Sequence, residues 1–237
     1  MMDDIESRLR EATAYSKQTG RPFVTVSYAQ SLDGSIAARP GRPMVLSSQE
    51  SLVLTHSLRA SHDAILVGIG CVLADDPRLN VRLASGSNPR PIVVDSRLRF
   101  PPYARLLTNG SRPPWIFTSE AADVEREKNL KALGATIFRV SSTPDAKIDI
   151  AALLAKIGAL GVTTLMVEGG AQIITSFLVA QSVNQVVVTI SPILVGGTRA
   201  VDTLARLNPN QFPRLTNVSY EKMGSDLVVR ADPQWGI

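Results

Sequence analysis

Cysteine and histidine are almost missing from this 237-residue chain, which carries one cysteine, Cys71, and two histidines, His56 and His62. A lone cysteine excludes an internal disulfide, and these side chains together cannot complete an ordinary His/Cys zinc site. Aromatic residues make up only 5%, and the 25 Lys and Arg are scattered rather than clustered. The stacking platform and basic stripe that mark a nucleic-acid surface are therefore both lacking. No apolar run approaches the length that crosses a bilayer. The N-terminus, Met1-Met2-Asp3-Asp4-Ile5-Glu6, is acidic where a secretory signal is basic and then apolar. These absences predict a soluble cytoplasmic protein with no metal, membrane or nucleic-acid partner.

What is present reads as ordinary globular material, 44% hydrophobic and 19% charged. The length allows one large domain or two small ones. No shift in composition, long linker or internal repeat cuts the chain, so residues 21–237 read as a single domain behind a helical extension over 1–20. A formal charge of +4 suits small phosphate-bearing ligands as well as polynucleotides.

Apolar spacing at Ile5, Leu9 and Ala12 predicts a helix from residue 3 to about 19, stopped by Gly20 and Pro22. Phe23–Tyr28 reads as a strand entering a polar loop. Ser47 and Glu50 predict a capping-box start to a helix ending near Ala60. Further strands are expected at Ala64–Gly68, Pro91–Asp95, Trp115–Thr118, Ala135–Phe138, Thr164–Val167 and Gln185–Ile190. Between them lie a charged helix capped by Ser119, a core-facing helix through Ile150, Leu153, Leu154 and Ile157, and one carrying Ile173, Ile174, Phe177 and Leu178. Asn217–Tyr220 and Leu227–Arg230 read as a terminal antiparallel pair. Unalternated apolar strands separated by helices mean a mostly parallel, mixed central sheet covered on both faces.

Open α/β sheets bind ligands beyond the carboxyl ends of their strands. That rule selects the loops Ala29–Gly34, Gly68–Arg82, Asp95–Ser96 and Glu168–Gly170. Glycines between a strand and a helix let a ligand approach the backbone, and the free N–H groups of the helix suit a phosphate. A tight turn beside a solvated Glu168 is the plainer alternative. No G-x-G-x-x-G run is present, so a dinucleotide here would bind in another style. Arg78 and Arg82 project from one short loop and could meet a phosphate or carboxylate, or could pair with the neighbouring Asp75 and Asp76. Arg59 is either an anion ligand or a favourable helix-terminal charge. His56 reads as a packing or surface residue, His62 has no partner in a triad, and Cys71 lacks the companion of a thiol nucleophile.

Seven segments in order carry a resemblance to a known family: Ser31-Leu32-Asp33-Gly34; His56-Ser57-Leu58-Arg59-Ala60; Asp63–Gly68; Leu73–Arg82; Pro91–Ser96; Val167-Glu168-Gly169-Gly170; and Ser191–Gly197. Over about residues 21–231 the chain resembles the reductase of riboflavin biosynthesis. The resemblance implies a dihydrofolate-reductase-like three-layer fold, commonly a homodimer. It also implies NADPH-dependent reduction, with NADH possible, of the ribosylamino side chain of a diaminopyrimidinone 5′-phosphate to the ribitylamino form. The deaminase often joined to this domain has no counterpart here, so a stand-alone reductase is expected.

On matching positions the cofactor would meet Ala29, Cys71, Asp75, Ser96 and the run Gly169, Gly170, Ala171, Gln172, Ile173, Ile174, Thr175 and Ser176. The substrate would meet Arg59, Leu79, Arg82 and Glu168. Arg59 and Arg82 are expected at the phosphate, Glu168 at the ribose or aminopyrimidine, and Asp33 beside the reacting groups. The chain departs from the family at Ser35, where a basic residue is frequent, at Pro43 and Val45, where a serine and an aromatic are usual, and at Cys71 in place of threonine. Two other readings compete: a dihydrofolate or dihydropterin reductase of the same fold, and a non-catalytic nucleotide or nucleic-acid binding module.

Overall fold

The computed structural model describes residues 2–108, 112–202, 204 and 208–236. Runs rich in Val, Ile and Phe extend as strands because both of their faces find apolar cover. They are β1 (Phe23–Ser31), β3 (Ala64–Gly68), β4 (Arg90–Val94), β5 (Trp115–Ser119), β6 (Thr136–Val140), β7 (Thr164–Gly169) and β8 (Gln185–Ser191). A hairpin, β10 (Arg214–Met223) with β11 (Asp226–Gln234), completes a nine-stranded sheet of order β10-β11-β8-β1-β7-β3-β4-β5-β6. The strands from β8 to β6 are parallel neighbours, while β11 runs antiparallel to β8 and β10 antiparallel to β11. A small ladder joins β2 (Ser35–Ala37) to β9 (Thr198–Arg199).

The helices are α1 (Met2–Arg10), α2 (Ala12–Thr19), α3 (Gln49–Ala60), α4 (Ile69–Asp75), α5 (Arg105–Thr108), α6 (Val124–Ala132), α7 (Ile150–Ala159) and α8 (Ala171–Val179). One core cluster packs α7 and α8 on the sheet through Leu153, Ile157, Ile174 and Phe177. The opposite cluster gathers Ile5 of α1, Leu54 and Leu58 of α3, Val72 of α4 and Leu130 of α6. The sheet thus has helices on both faces, as expected. The N-terminal extension is part of this packing, since Ile5 is fully buried.

Local differences from the expected elements have identifiable causes. The first helix is interrupted at Glu11. The cap of α3 is Ser48 rather than Ser47, its side chain accepting from the Ser51 amide. Ser119 ends a strand and donates to the Ser96 carbonyl, so Asp123 caps α6 instead. The expected loop over Gly68–Arg82 begins as α4, which brings Cys71 and Asp75, one helical turn apart, onto one face. No helix among the described residues is long and apolar enough to cross a membrane.

Candidate active site

The chain builds its sheet outward through β3, β4, β5 and β6, then returns to insert β7 between β1 and β3. This reversal places the ends of β1, β3 and β7 side by side, the usual crevice of an open α/β sheet. A cleft of about 1340 Å³ opens there, lined by Ala29, Cys71, Asp75, Ser96, Glu168 and the start of α8. The volume exceeds the roughly 300–1,000 Å³ typical of a pocket for one drug-sized ligand.

The entry to α8 is a backbone cradle. Gly169 and Gly170 hold φ values of 142° and 83°, and Gly170 has no side chain to cap the helix. A Cβ on Gly170 would lie 3.1 Å from the Cys71 sulfur. The Gly170 carbonyl receives the Ile173 and Ile174 amides, leaving the amides of Ala171 and Gln172 at the mouth of the helix, where a phosphate group is favoured. Gly68 makes this arrangement possible from the other side: a Cβ there would meet Ile173 Cγ1 at 2.7 Å. Of the expected cofactor positions, Ala29, Cys71, Asp75, Ser96, Gly170, Ala171, Gln172, Ile173, Ile174 and Ser176 all line the cleft. Gly169 closes the β7 ladder opposite Val67, and Thr175 accepts from the Asp202 amide, so these two support the cradle from behind.

A second pocket, about 350 Å³, adjoins the first and shares Asp75 with it. Its walls carry Arg59, Arg78, Arg82 and Arg105, together with Leu79. Glu168 and Arg59 meet at the boundary in a two-pronged ion pair, Arg59 Nε to Oε1 and Nη2 to Oε2, each 2.7 Å. Their side chains are only 14% and 12% exposed. Arg59 also donates through Nη1 to the Asn80 carbonyl at 3.0 Å. Arg105 pairs with Asp76 at 3.5 Å, while the Arg82 guanidinium turns to the Asn80 side chain. Burial and the neighbouring charges of Arg59 and Arg78 lower the Arg82 pKa, as expected where guanidinium groups crowd without enough acid.

The loop that presents these arginines is held in an uncommon backbone. Asp76 and Leu79 have φ values of 42° and 51°, a left-handed conformation that non-glycine residues hold only when their surroundings enforce it. Leu79 is buried at 3% exposure and anchors the loop in the core. Three side chains fix the rest: Asn88 accepts from the Val81 amide, His56 Nδ1 from the Arg82 amide, and Arg59 reaches Asn80. Sequence reasoning missed Asn88 and underrated His56, whose ring is buried and whose pKa is lowered first by that burial, then by Arg59 and Arg82. Their signal lies in tertiary distance, with Asn88 seven residues beyond Val81 and His56 26 before Arg82.

Several neighbouring groups are constrained in their chemistry. Burial, helped by Asp75 and Glu168, pushes the Cys71 thiol up to about 11, so it remains protonated rather than nucleophilic. Burial also raises the Asp75 carboxyl above its ordinary range. Asp33 has a different task from the one expected of it. Its carboxylate accepts from the Ser31 and Ser35 hydroxyls and from the Val195 and Gly196 amides, and these bonds hold its pKa far below the usual range. It clasps two loops and is not among the residues lining the cleft. Ser35, one of the departures, belongs to the same clasp through the Gly197 amide. Pro43 lines the cleft, whereas Val45 is 83% exposed. Among the described residues no group of His, Cys, Asp and Glu could hold a metal ion.

The topology and the paired pockets define a dihydrofolate-reductase-like α/β protein with a large cleft at the ends of its central strands. Residues 22–229 match the RibD C-terminal domain, and the chain belongs to that family. It is 41% identical over 183 residues to the 2,5-diamino-6-ribosylamino-4(3H)-pyrimidinone 5′-phosphate reductase of Methanothermobacter thermautotrophicus, covering 76% of this chain and 82% of that one. It is 33% identical to the riboflavin biosynthesis protein RibD of Bacillus amyloliquefaciens over 92% of its own length, yet spans only 59% of that protein. Among solved structures it is similar to the riboflavin biosynthesis reductase Rib7 of Saccharomyces cerevisiae, with a TM-score of 0.72, 28% identity and 91% of each chain covered.

Proposed function

We propose that the protein reduces the ribosylamino side chain of a diaminopyrimidinone 5′-phosphate to its ribitylamino form, using NADPH, as a homodimer. The observation that carries this reading is the join between the two pockets: a cleft gated by glycines meets an arginine-lined pocket at Asp75 and the Glu168–Arg59 pair. A dihydrofolate or dihydropterin has no phosphate to justify four arginines around so small a space. A binding module without turnover would not need a carboxylate held at the boundary.

The residues fit the cofactor. Ala29, Cys71, Asp75 and Ser96 would hold it with residues 170–174 and Ser176, Gly169 and Thr175 backing them, and its pyrophosphate would lie at the open end of α8. Arg99 and Lys147, also on the cleft wall, favour the additional phosphate of NADPH over NADH. Bound there, the nicotinamide supplies a hydride.

The protein's own contribution is orientation and charge. Arg59 is committed to Glu168 through two hydrogen bonds, so its main task is to fix that carboxylate toward the sugar or aminopyrimidine. Arg78, Arg82 and Arg105 then carry most of the attraction for the substrate phosphate. Asp75, which touches both pockets and whose carboxyl pKa is raised by burial, sits where it can hydrogen-bond at the point where the two ligands meet.

The test is loss of nicotinamide absorbance with the enzymatically prepared ribosylaminopyrimidine phosphate, with dihydrofolate in parallel. Turnover of the phosphate alone is expected. Turnover of dihydrofolate alone would overturn the reading.

A further inference from the structure

Helix α3 reaches the arginine loop through two side chains three residues apart, a spacing that puts them on one face. Arg59 donates to the Asn80 carbonyl at 3.0 Å, and two residues further along the loop the Arg82 amide donates to His56 Nδ1 at 3.0 Å. Asn88 adds a third tie by accepting from the Val81 amide at 2.7 Å. The loop depends on such ties, because Asp76 and Leu79 hold left-handed backbone that persists only while the surroundings enforce it.

Of the three ties, the one to His56 can be switched by a single proton near neutral pH. A backbone amide can only donate, so Nδ1 presents its lone pair and the buried ring is neutral, with its proton on Nε2. The guanidinium of Arg59 and the carboxamide of Asn88 do not titrate in this range. We infer that His56 is a positioning residue for the substrate phosphate: its neutral imidazole fixes the Arg82 backbone and so aims the Arg82 side chain into the small pocket. Protonation turns Nδ1 into a second donor facing the amide, which releases the loop and weakens the hold on phosphate. The charged groups facing the ring are Arg59 on its own helix, Arg82 on the loop and Glu168 on β7. Burial, then the two arginines, lower its pKa, and Glu168 opposes them. The ring is therefore neutral at pH 7, and the tie is lost on acidification. This role rests on the reading of the small pocket as the phosphate site, and it adds a group that touches neither ligand.

Calorimetry on the full chain, with ribose 5-phosphate as the probe, tests this role without turnover. His56→Leu removes the acceptor and leaves the Arg82 amide unpaired, and should weaken binding about tenfold at pH 7. His56→Asn places an oxygen near the position of Nδ1 and should recover most of that loss. In steady-state assays His56→Leu should raise the KM for the ribosylaminopyrimidine phosphate by a similar factor, with kcat and the KM for NADPH little changed. From pH 7 to pH 5 the wild type should lose affinity more steeply than His56→Asn, whose remaining slope reports ionisation of the phosphate itself, near pH 6. Should His56→Leu fail to fold, that difference in slope carries the test alone. Undiminished binding by folded His56→Leu, no recovery in His56→Asn, losses spread equally over kcat and both KM values, or equal slopes would each overturn the proposal. A wild type that binds no ribose 5-phosphate would overturn the phosphate pocket, and this role with it, whereas binding that ignores His56 would leave the pocket standing.

Discussion

Removing the charge of Glu168 separates two accounts of Arg59, as a clamp for that carboxylate or as an independent ligand for phosphate. Glu168→Gln keeps the shape and removes the anion that receives two 2.7 Å hydrogen bonds. Breaking a fully buried pair from one side costs about 3–5 kcal/mol, and an exposed pair is worth about 0–1 kcal/mol. With side chains 14% and 12% exposed at the edge of a hydrated cleft, this pair falls between those limits, at about 1.5–3 kcal/mol. Expressed in the transition state, that is a loss of roughly 10- to 100-fold in kcat/KM.

Arg59→Met leaves Glu168 unpaired and should cost a similar factor. If the clamp is its main role, the double variant Arg59→Met/Glu168→Gln falls little below the worse single, because both changes remove one interaction. If Arg59 holds the phosphate independently, the two factors multiply, to roughly 10²–10⁴. The assay is steady-state nicotinamide oxidation on all four proteins, with thermal unfolding measured alongside to separate misfolding from lost alignment. Multiplying losses would refute the clamp.

Gly170→Ala forces a side chain into a backbone at φ 83° and toward the Cys71 sulfur; about 1–3 kcal/mol of stability should be lost, with a raised KM for NADPH, and adding Cys71→Ala should recover only the steric part. His62 is buried between the Leu58 carbonyl and the Thr25 hydroxyl, and burial lowers its pKa from 6.5 to about 4. A depressed histidine favours folding fully above its unfolded pKa and loses that contribution as pH falls toward the folded one. Urea unfolding should therefore show roughly 2 kcal/mol less stability at pH 5 than at pH 7 from this group, a difference that His62→Gln should remove. Asp33→Asn should release the Val195 and Gly196 amides to faster hydrogen exchange; unchanged protection there would refute its role as a clasp.

The parallel strands were legible because each is a short apolar run between turn residues, and two buried faces require that pattern. Glycines at 169 and 170 were legible because a pair of them between a strand and a helix marks a tight turn that a ligand can approach closely. Helix starts were less so: Ser47 and Ser119 have the right chemistry for caps, but Ser48 and Asp123 are used, since Ser48 is held by the Asp226 carboxylate and the Met223 carbonyl, while Ser119 is taken up by β5 and its contact to Ser96. Helix α4 was missed because its seven residues run straight into Asp75-Asp76-Pro77, which reads as a turn, and its stability comes from Ile69 and Val72 in the core.

The role of Arg59 shows where local pattern stops being informative. At the end of α3 it satisfies the ordinary preference for a cation there, and apart from the family resemblance of His56–Ala60 nothing nearby in sequence marks it further. Its carboxylate partner is 109 residues away. They meet because the chain, after laying down β4, β5 and β6, returns to pair β7 with β3 in the register Leu66 to Val167. Shifting β7 by one residue would turn Glu168 to the other face and leave Arg59 without its partner. The site is thus a property of strand order. Conservative changes to the β3–β7 interface, such as Val167→Ala, should damage catalysis through Glu168 even though Val167 is buried and lines neither pocket.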